Sequence, residues 1–324
     1  MSEIEMEIYV LCGAKARSGG AELTHQFCSA VNRLTSIQAR MCYVDVKASV
    51  ADCLPVDTEA IQEYEEYRTE HAKSLEEMDR KGNVIIIPEG LTLAASCISK
   101  ATVIIWWMSV DNYIRATNES DLGELRKRCI LHLVQSFYAK EYVENKFTAP
   151  IMWLTDYINL KHGTFLYPSE YRQDIALYNP AKGISNIQPL IEKANWLQWI
   201  PIVGLSTEAA IVVMQNAKIY VDFGNHPGKD RIPREAAVNG CCVITNKAGS
   251  AAYYEDVPIP DTYKFEDTMG SIDEINDLMH DICEHFQEHQ DRFADYRTWI
   301  HEEKDRFECE VIQTVNGFLE IAKR

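Results

Sequence analysis

The chain has 324 residues, 46% hydrophobic and 25% charged, proportions of a globular protein long enough for two α/β domains. Its net charge of −17 excludes a protein that neutralises nucleic-acid phosphates over a broad face, and it argues against wide electrostatic attachment to anionic lipid. Ten cysteines at scattered positions include no C-x-x-C pair, so the expectation is reduced thiols in the cytoplasm without structural zinc. Met1–Met6 carries no signal-peptide pattern, and the longest apolar runs, such as Thr102–Met108, are too short to span a bilayer.

Ile8–Leu11 reads as a first strand, followed by a loop Cys12–Gly20 and a helix Ala21–Leu34. The loop holds Gly13, Gly19 and Gly20 with Lys15 and Arg17, but it is neither a dinucleotide fingerprint nor a Walker loop. Its glycines permit either a plain flexible connection or close approach of a ligand to the backbone. Met41–Val46 is a second strand. Asp57–Lys81, charged at nearly every other position, is expected to be one long solvated helix ended by Gly82-Asn83, with partner contact as the rival role. Val84–Ile87, Thr102–Met108, Cys129–Val134 and Ile151–Leu154 read as buried parallel strands, with a helix running to about Lys100 between the first two. Polar residues recur where these strands end, Asp111 and Asp156 among them, both suited to capping or turns. Trp106, Trp107 and His132 are expected in the core. About six alternating strand–helix units predict a mostly parallel sheet covered on both faces.

Leu160–Ser169 has the mixed character of a crossover, after which alternation resumes. Ile175–Tyr178 is a strand leading to Asn179–Gly183, then come a helix Ile187–Ala194, a strand Trp199–Val203 and a helix Thr207–Asn216. Ala217–Asp256 then reads as strand, loop, helix, strand, loop, helix. Its first loop, Asn225–Ile232, carries His226, Lys229 and Arg231, and Pro233 is placed as a first helical residue. Strand ends and helix N-termini delivered to one sheet edge, together with these cations, point to a diphosphate site. After a short strand near Tyr263–Phe265, Asp273 to the C-terminus reads as helical.

The order of motifs resembles the GT-B nucleotide-sugar glycosyltransferases, most of all their retaining, glycogen-synthase-like group. The similarity rests on YNPAKG at Tyr178–Gly183; on Pro233-Arg234-Glu235-Ala236-Ala237 with Gly240 and Cys242-Val243-Ile244; on Ala248-Gly249-Ser250 before Glu255-Asp256; and on Gly19-Gly20-Ala21-Glu22. It implies two Rossmann-like parallel-sheet domains facing a cleft, residues 1–165 on the acceptor side and 166–305 on the donor side. Residues 306–324 are then a C-terminal helix packing back on the first domain.

The resemblance implies transfer of a sugar from a nucleoside diphosphate to a hydroxyl, retaining and without a metal or other cofactor, in surface polysaccharide or glycoconjugate synthesis. The acceptor is a saccharide or lipid-linked saccharide, with peripheral membrane contact allowed. Lys182 is placed on the diphosphate and Glu235 on the ribose, with His226 as the third catalytic candidate. Asn179, Gly183, Gly228, Lys229, Asp230, Arg231, Gly249 and Ser250 complete the donor set, the last two offering backbone N–H groups. Gly19, Gly20, Glu22 and Asp111 are assigned to the acceptor side. Two departures stand out: Pro227 replaces the Glu that the family places eight residues before Glu235, and Asn179 stands where an Arg is usual, leaving Arg231 or Lys229 to compensate. A non-catalytic, glycosyltransferase-like scaffold subunit is therefore the alternative, and a sugar epimerase of related fold a third reading.

Overall fold

Six apolar runs form six parallel strands: β1 (Glu7–Gly13), β2 (Gln38–Val44), β3 (Val84–Pro88), β4 (Thr102–Trp107), β5 (Cys129–Val134) and β6 (Ile151–Trp153), ordered β2-β1-β3-β4-β5-β6. The computed structural model describes residues 6–45, 55–56 and 58–322; expectations that fall on Met1–Glu5, Val46, Cys53 and Asp57 lie outside the described residues. Five further parallel strands, β7 (Gln173–Tyr178), β8 (Gln198–Pro201), β9 (Ala217–Asp222), β10 (Cys242–Asn246) and β11 (Lys264–Phe265), pair in the order β11-β10-β9-β7-β8. The chain divides into unit 1, Met1–Asp156 with Asp305–Arg324, and unit 2, Tyr157–Lys304. Each unit is an α/β layer structure with its own core.

The central strands are apolar on both faces because helices cover both, as parallel sheets require. In unit 1, Trp106 and Trp107 are fully buried. Their indole N–H groups donate to Leu154 O and His132 Nδ1, both at 3.0 Å. Burial pushes the His132 pKa down to about 4, so it packs as a neutral acceptor. The helix Glu303–Ala322 contributes to unit 1 from Asp305 onward, where Phe307, Val311 and Phe318 are buried. Glu310 accepts from both the backbone N–H and the hydroxyl of Thr155 at 2.7 Å, and Arg33 pairs with Glu308 at 2.7 Å.

The expectation of one helix over Asp57–Lys81 is overturned. Its described part contains a 3-10 turn, Gln62–Tyr67, and one helical turn, Leu75–Met78. Tertiary contacts outweigh helix propensity here. Met41 N donates to Glu70 O and Ala72 N to Met41 O, both at 2.8 Å, so the segment covers the open edge of β2. Tyr64 buries its ring beside His25 and exchanges hydrogen bonds with the N–H and C=O of Ser18, both at 3.2 Å. Other boundaries shift more modestly. The helix expected to run to Lys100 is a 3-10 stretch, Glu89–Cys97, and Ala248-Gly249-Ser250 leads only into a 3-10 turn, Gly249–Ala252. Among the described residues no helix is long and apolar enough to cross a membrane.

Candidate functional site

In unit 2 the chain leaves β7, adds β8 on one side and then crosses to place β9 on the other. The crevice beyond the C-terminal ends of β7 and β9 is therefore a topological switch point, where open α/β sheets bind ligands. The loops Asn179–Gly183 and Phe223–Asp230 both end there.

Asn179 shapes the first loop, accepting Ala181 N on its side chain (3.0 Å) and Lys182 N on its carbonyl (3.2 Å). Gly183 has φ +67° and caps the helix Ile184–Lys193. A Cβ there would lie 2.5 Å from Phe223 O, so only glycine lets the two loops approach so closely. The helix N-terminus thereby sits beside the switch point, with first-turn N–H groups that intrahelical bonding leaves open.

The second loop turns on charge. Asp222, at the end of β9, accepts from Gly224 N and the Tyr220 hydroxyl, both at 3.0 Å. His226, buried and at φ +39°, has Nδ1 3.1 Å from Asp230 Oδ2. Its Nε2 lies 3.3 Å from Asp222 O and 3.7 Å from Asp222 Oδ1. Burial alone would lower the His226 pKa, but the Asp230 hydrogen bond and the Asp222 charge raise it above 6.5. Asp230 is likewise pushed up by burial and drawn lower overall by His226 and Lys182. The Lys182 ammonium pairs directly with Asp230. Two cations and two carboxylates thus alternate along Lys182–Asp230–His226–Asp222.

Asp222, His226 and Asp230 are compact enough to surround an ion, with ligand atoms within 4.8 Å of one another. The two ring nitrogens face different carboxylates, however, which suits an imidazolium clamp better than one ion bound from one side.

Sequence reasoning misplaced three residues. Lys229 is turned away from the strand-end edge: its ammonium is 3.0 Å from the buried Glu303 carboxylate and 4.6 Å from the centre of the Trp299 ring. Ser250 spends its N–H on His226 O (2.9 Å) and its hydroxyl on Gly228 O (2.6 Å), so it fastens the loop and does not present that N–H to phosphate. Gly249, at φ +51°, permits this approach, since a Cβ would collide with His226 O. Pro233 is the third residue of its helix, which starts at Arg231 behind the Asp230 cap. Its missing N–H is still one of those a first turn leaves open. Glu235 consequently falls in the second turn, half-buried, with His162 Nε2 at 3.9 Å. Burial holds that histidine neutral, its pKa near 4.

Other residues that matter went unread. Arg234 is buried and donates to Asp230 O (3.1 Å), Lys229 O (3.0 Å) and Glu303 Oε2 (2.7 Å), fixing the loop from behind. Asn246, where β10 ends, donates to Gly224 O at 2.8 Å, while its buried Oδ1 has no hydrogen-bond partner among the described residues. The spacing Asp222-x3-His226-x3-Asp230 was the available signal for the clamp. A cavity of about 10 Å³ bounded by His226, Asp230, Thr245, Ser250 and Asp256 has room for no more than one water and is too small to take a diphosphate.

In unit 1 the corresponding switch point lies between β1 and β3. Gly19 and Gly20 are not a free loop there: they open the helix Gly19–Leu34, capped by Ser18 accepting Ala21 N. Glu22 accepts the Tyr67 hydroxyl at 2.7 Å, and Asp111 accepts that of Tyr138 at 2.8 Å.

No family model matches the sequence, and no curated protein matches it either. Solved structures do. HepE from Anabaena in complex with UDP superposes with a TM-score of 0.69 at 12% identity, over 97% of this chain and 100% of that one. Sucrose-phosphate synthase from Thermosynechococcus elongatus gives 0.66 at 12%, over 98% and 99%. A glycosyltransferase from Rickettsia africae gives 0.65 at 11%, over 99% and 100%. The chain has the two-domain α/β fold of the GT-B glycosyltransferases.

Proposed function

We propose that the protein transfers a sugar from a nucleoside diphosphate sugar to a hydroxyl acceptor, with the diphosphate on the β7–β9 edge of unit 2. The observation that carries this reading is the meeting of Lys182, the Gly183-capped helix N-terminus and the Asp222–Asp230 loop at the switch point. The difficult part of such a transfer is charge building on the departing diphosphate. The Lys182 ammonium, on leaving Asp230, and helix N–H groups supply compensation for it. HepE bound to UDP-glucose and to UDP makes uridine nucleotides the first donors to try. Glu235, half-buried on the helix that follows the loop, is the group we assign to the ribose hydroxyls. Gly228, within the same loop, and Arg231, the first residue of the helix after it, remain in the donor set, whereas Lys229 and Ser250 are assigned to holding the loop.

The finer reading is retaining transfer without a metal, in surface polysaccharide or glycoconjugate synthesis. It rests on the motif order from Tyr178 to Asp256. A reducing, cytoplasmic setting is part of the same proposal and is supported by the scattered cysteine spacing.

The test is sugar release or transfer from a panel of sugar nucleotides, followed over the wild type, Lys182→Ala and Glu235→Ala. Lys182→Ala should lower kcat/KM by about 100-fold or more while the protein stays folded, with a small fall in melting temperature from the lost Asp230 pair. Full turnover in both variants would remove the site assignment.

A further inference from the structure

Lys182 is the cation assigned to the diphosphate, yet in this structure its charge is already engaged by a carboxylate. That carboxylate has a second cationic partner, since His226 Nδ1 lies 3.1 Å from the other oxygen of Asp230. His226 is in turn held from its far side by Asp222, and the backbone of Asp230 is pinned by Arg234 at 3.1 Å. Asp230 therefore cannot follow Lys182 when the lysine moves, and it need not, because it keeps its bond to the imidazole. The ammonium, on a flexible four-carbon stem, has two alternative anionic partners.

We propose that Asp230 is a positioning residue that competes with the diphosphate for Lys182, and that this competition promotes release of the nucleoside diphosphate after transfer. The inference rests on the function proposed above. When a sugar nucleotide binds, Lys182 exchanges the carboxylate for phosphate oxygens, and His226 keeps the freed Asp230 paired. Transfer breaks the bond from the sugar's anomeric carbon to the β-phosphate oxygen, whose electron pair leaves with the diphosphate, and forms the bond from that carbon to the acceptor oxygen. The acceptor's hydroxyl proton passes to solvent, so the leaving diphosphate carries one more negative charge. That charge lies within the reach of one lysine side chain from Asp230, where like charges repel strongly at the effective dielectric of a protein surface. Recapture of Lys182 by Asp230 then returns the site to its neutral resting state.

The competition predicts a gain in affinity, which damage to the fold would not produce. Wild type, Asp230→Asn, Lys182→Ala and the double variant are titrated calorimetrically with uridine, adenosine and guanosine diphosphates and with inorganic pyrophosphate. Dissociation is followed by stopped flow, and melting temperatures check the fold. Asp230→Asn should bind the preferred diphosphate on the order of tenfold more tightly, mainly through slower dissociation, with kcat and KM both reduced. The gain should vanish when Lys182 is also alanine. If wild type binds and loses affinity in Lys182→Ala, but Asp230→Asn binds no more tightly, the competition is refuted while the donor site stands. If wild type binds none of the four probes, the function proposed above fails and this inference fails with it.

Discussion

His226 occupies a backbone region that a side chain with a Cβ adopts at a cost, and it does so almost fully buried. What holds it there is charge: Asp230 on one ring nitrogen and Asp222 near the other. Because these carboxylates keep its folded pKa above 6.5, the imidazolium contributes stability in full below the unfolded pKa. That contribution is lost as pH rises through the folded value. Asp230 works in the opposite sense. Its pKa is lowered, so its share is present above about 3.9 and lost as pH falls. Denaturant unfolding of the wild type at a series of pH values should therefore show a decline on the alkaline side of 6.5. His226→Gln, which cannot titrate, should lack that decline. Parallel curves would mean that the ring is neutral in the fold. The sequence showed Asp222, His226 and Asp230 at intervals of four, but not that they share one clamp, because that depends on how tightly the Phe223–Asp230 loop closes. The strand exit that carries Lys182-Gly183, by contrast, was legible as an apolar run followed by a Pro- and Gly-bearing loop, and it lies between β7 and the helix Ile184–Lys193. The role of Lys182 came from the family resemblance, not from that pattern.

At the level of elements, the same division between local and distant information separates the strands from the acidic segment. Val84–Ile87, Thr102–Trp107 and Cys242–Thr245 announce themselves as apolar runs, and each becomes a central parallel strand. Residues 58–74 carry helix-favouring glutamates, yet their fate is set by Met41 and Ser18, which lie far away in sequence. The unpaired edge of β2 offers backbone partners that a free helix would forgo, and Tyr64 anchors the segment over the start of the helix Gly19–Leu34. The ion pair from Arg17 to Glu63 (3.0 Å) is exposed on both sides and that from Arg40 to Glu70 (3.2 Å) on the glutamate side, so both add little. The tyrosine hydroxyl matters more. Tyr64→Phe keeps the buried ring but removes both bonds to Ser18, and should lower unfolding free energy by about 1 kcal/mol. Proteolysis within residues 58–74 should accelerate in parallel; no change in either would assign the anchoring to the ring alone.

For the whole molecule, the informative residue is Glu303. It opens the helix that begins in unit 2 and from Asp305 belongs to unit 1. Its carboxylate is fully buried between the Lys229 ammonium at 3.0 Å and the Arg234 guanidinium at 2.7 Å. Lys229 precedes Asp230 directly and Arg234 follows it by four residues, so within unit 2 the Phe223–Asp230 loop is tied to the first residue of this helix. No sequence pattern could pair Arg234 with a glutamate 69 residues later. Such a triad says little about net stability while intact, because desolvation of the charges offsets much of their attraction. Removing its carboxylate is different: it takes a buried counter-charge from both Lys229 and Arg234. Glu303→Ala should cost roughly 3–5 kcal/mol. Glu303→Gln keeps the shape and one acceptor, and should cost less. If the triad also holds the loop in register, Glu303→Gln should weaken binding of a nucleoside diphosphate severalfold at a temperature where the variant remains folded. Loss of stability with undiminished affinity would confine Glu303 to the packing of unit 2; loss of both would make the start of this helix part of the donor site's support.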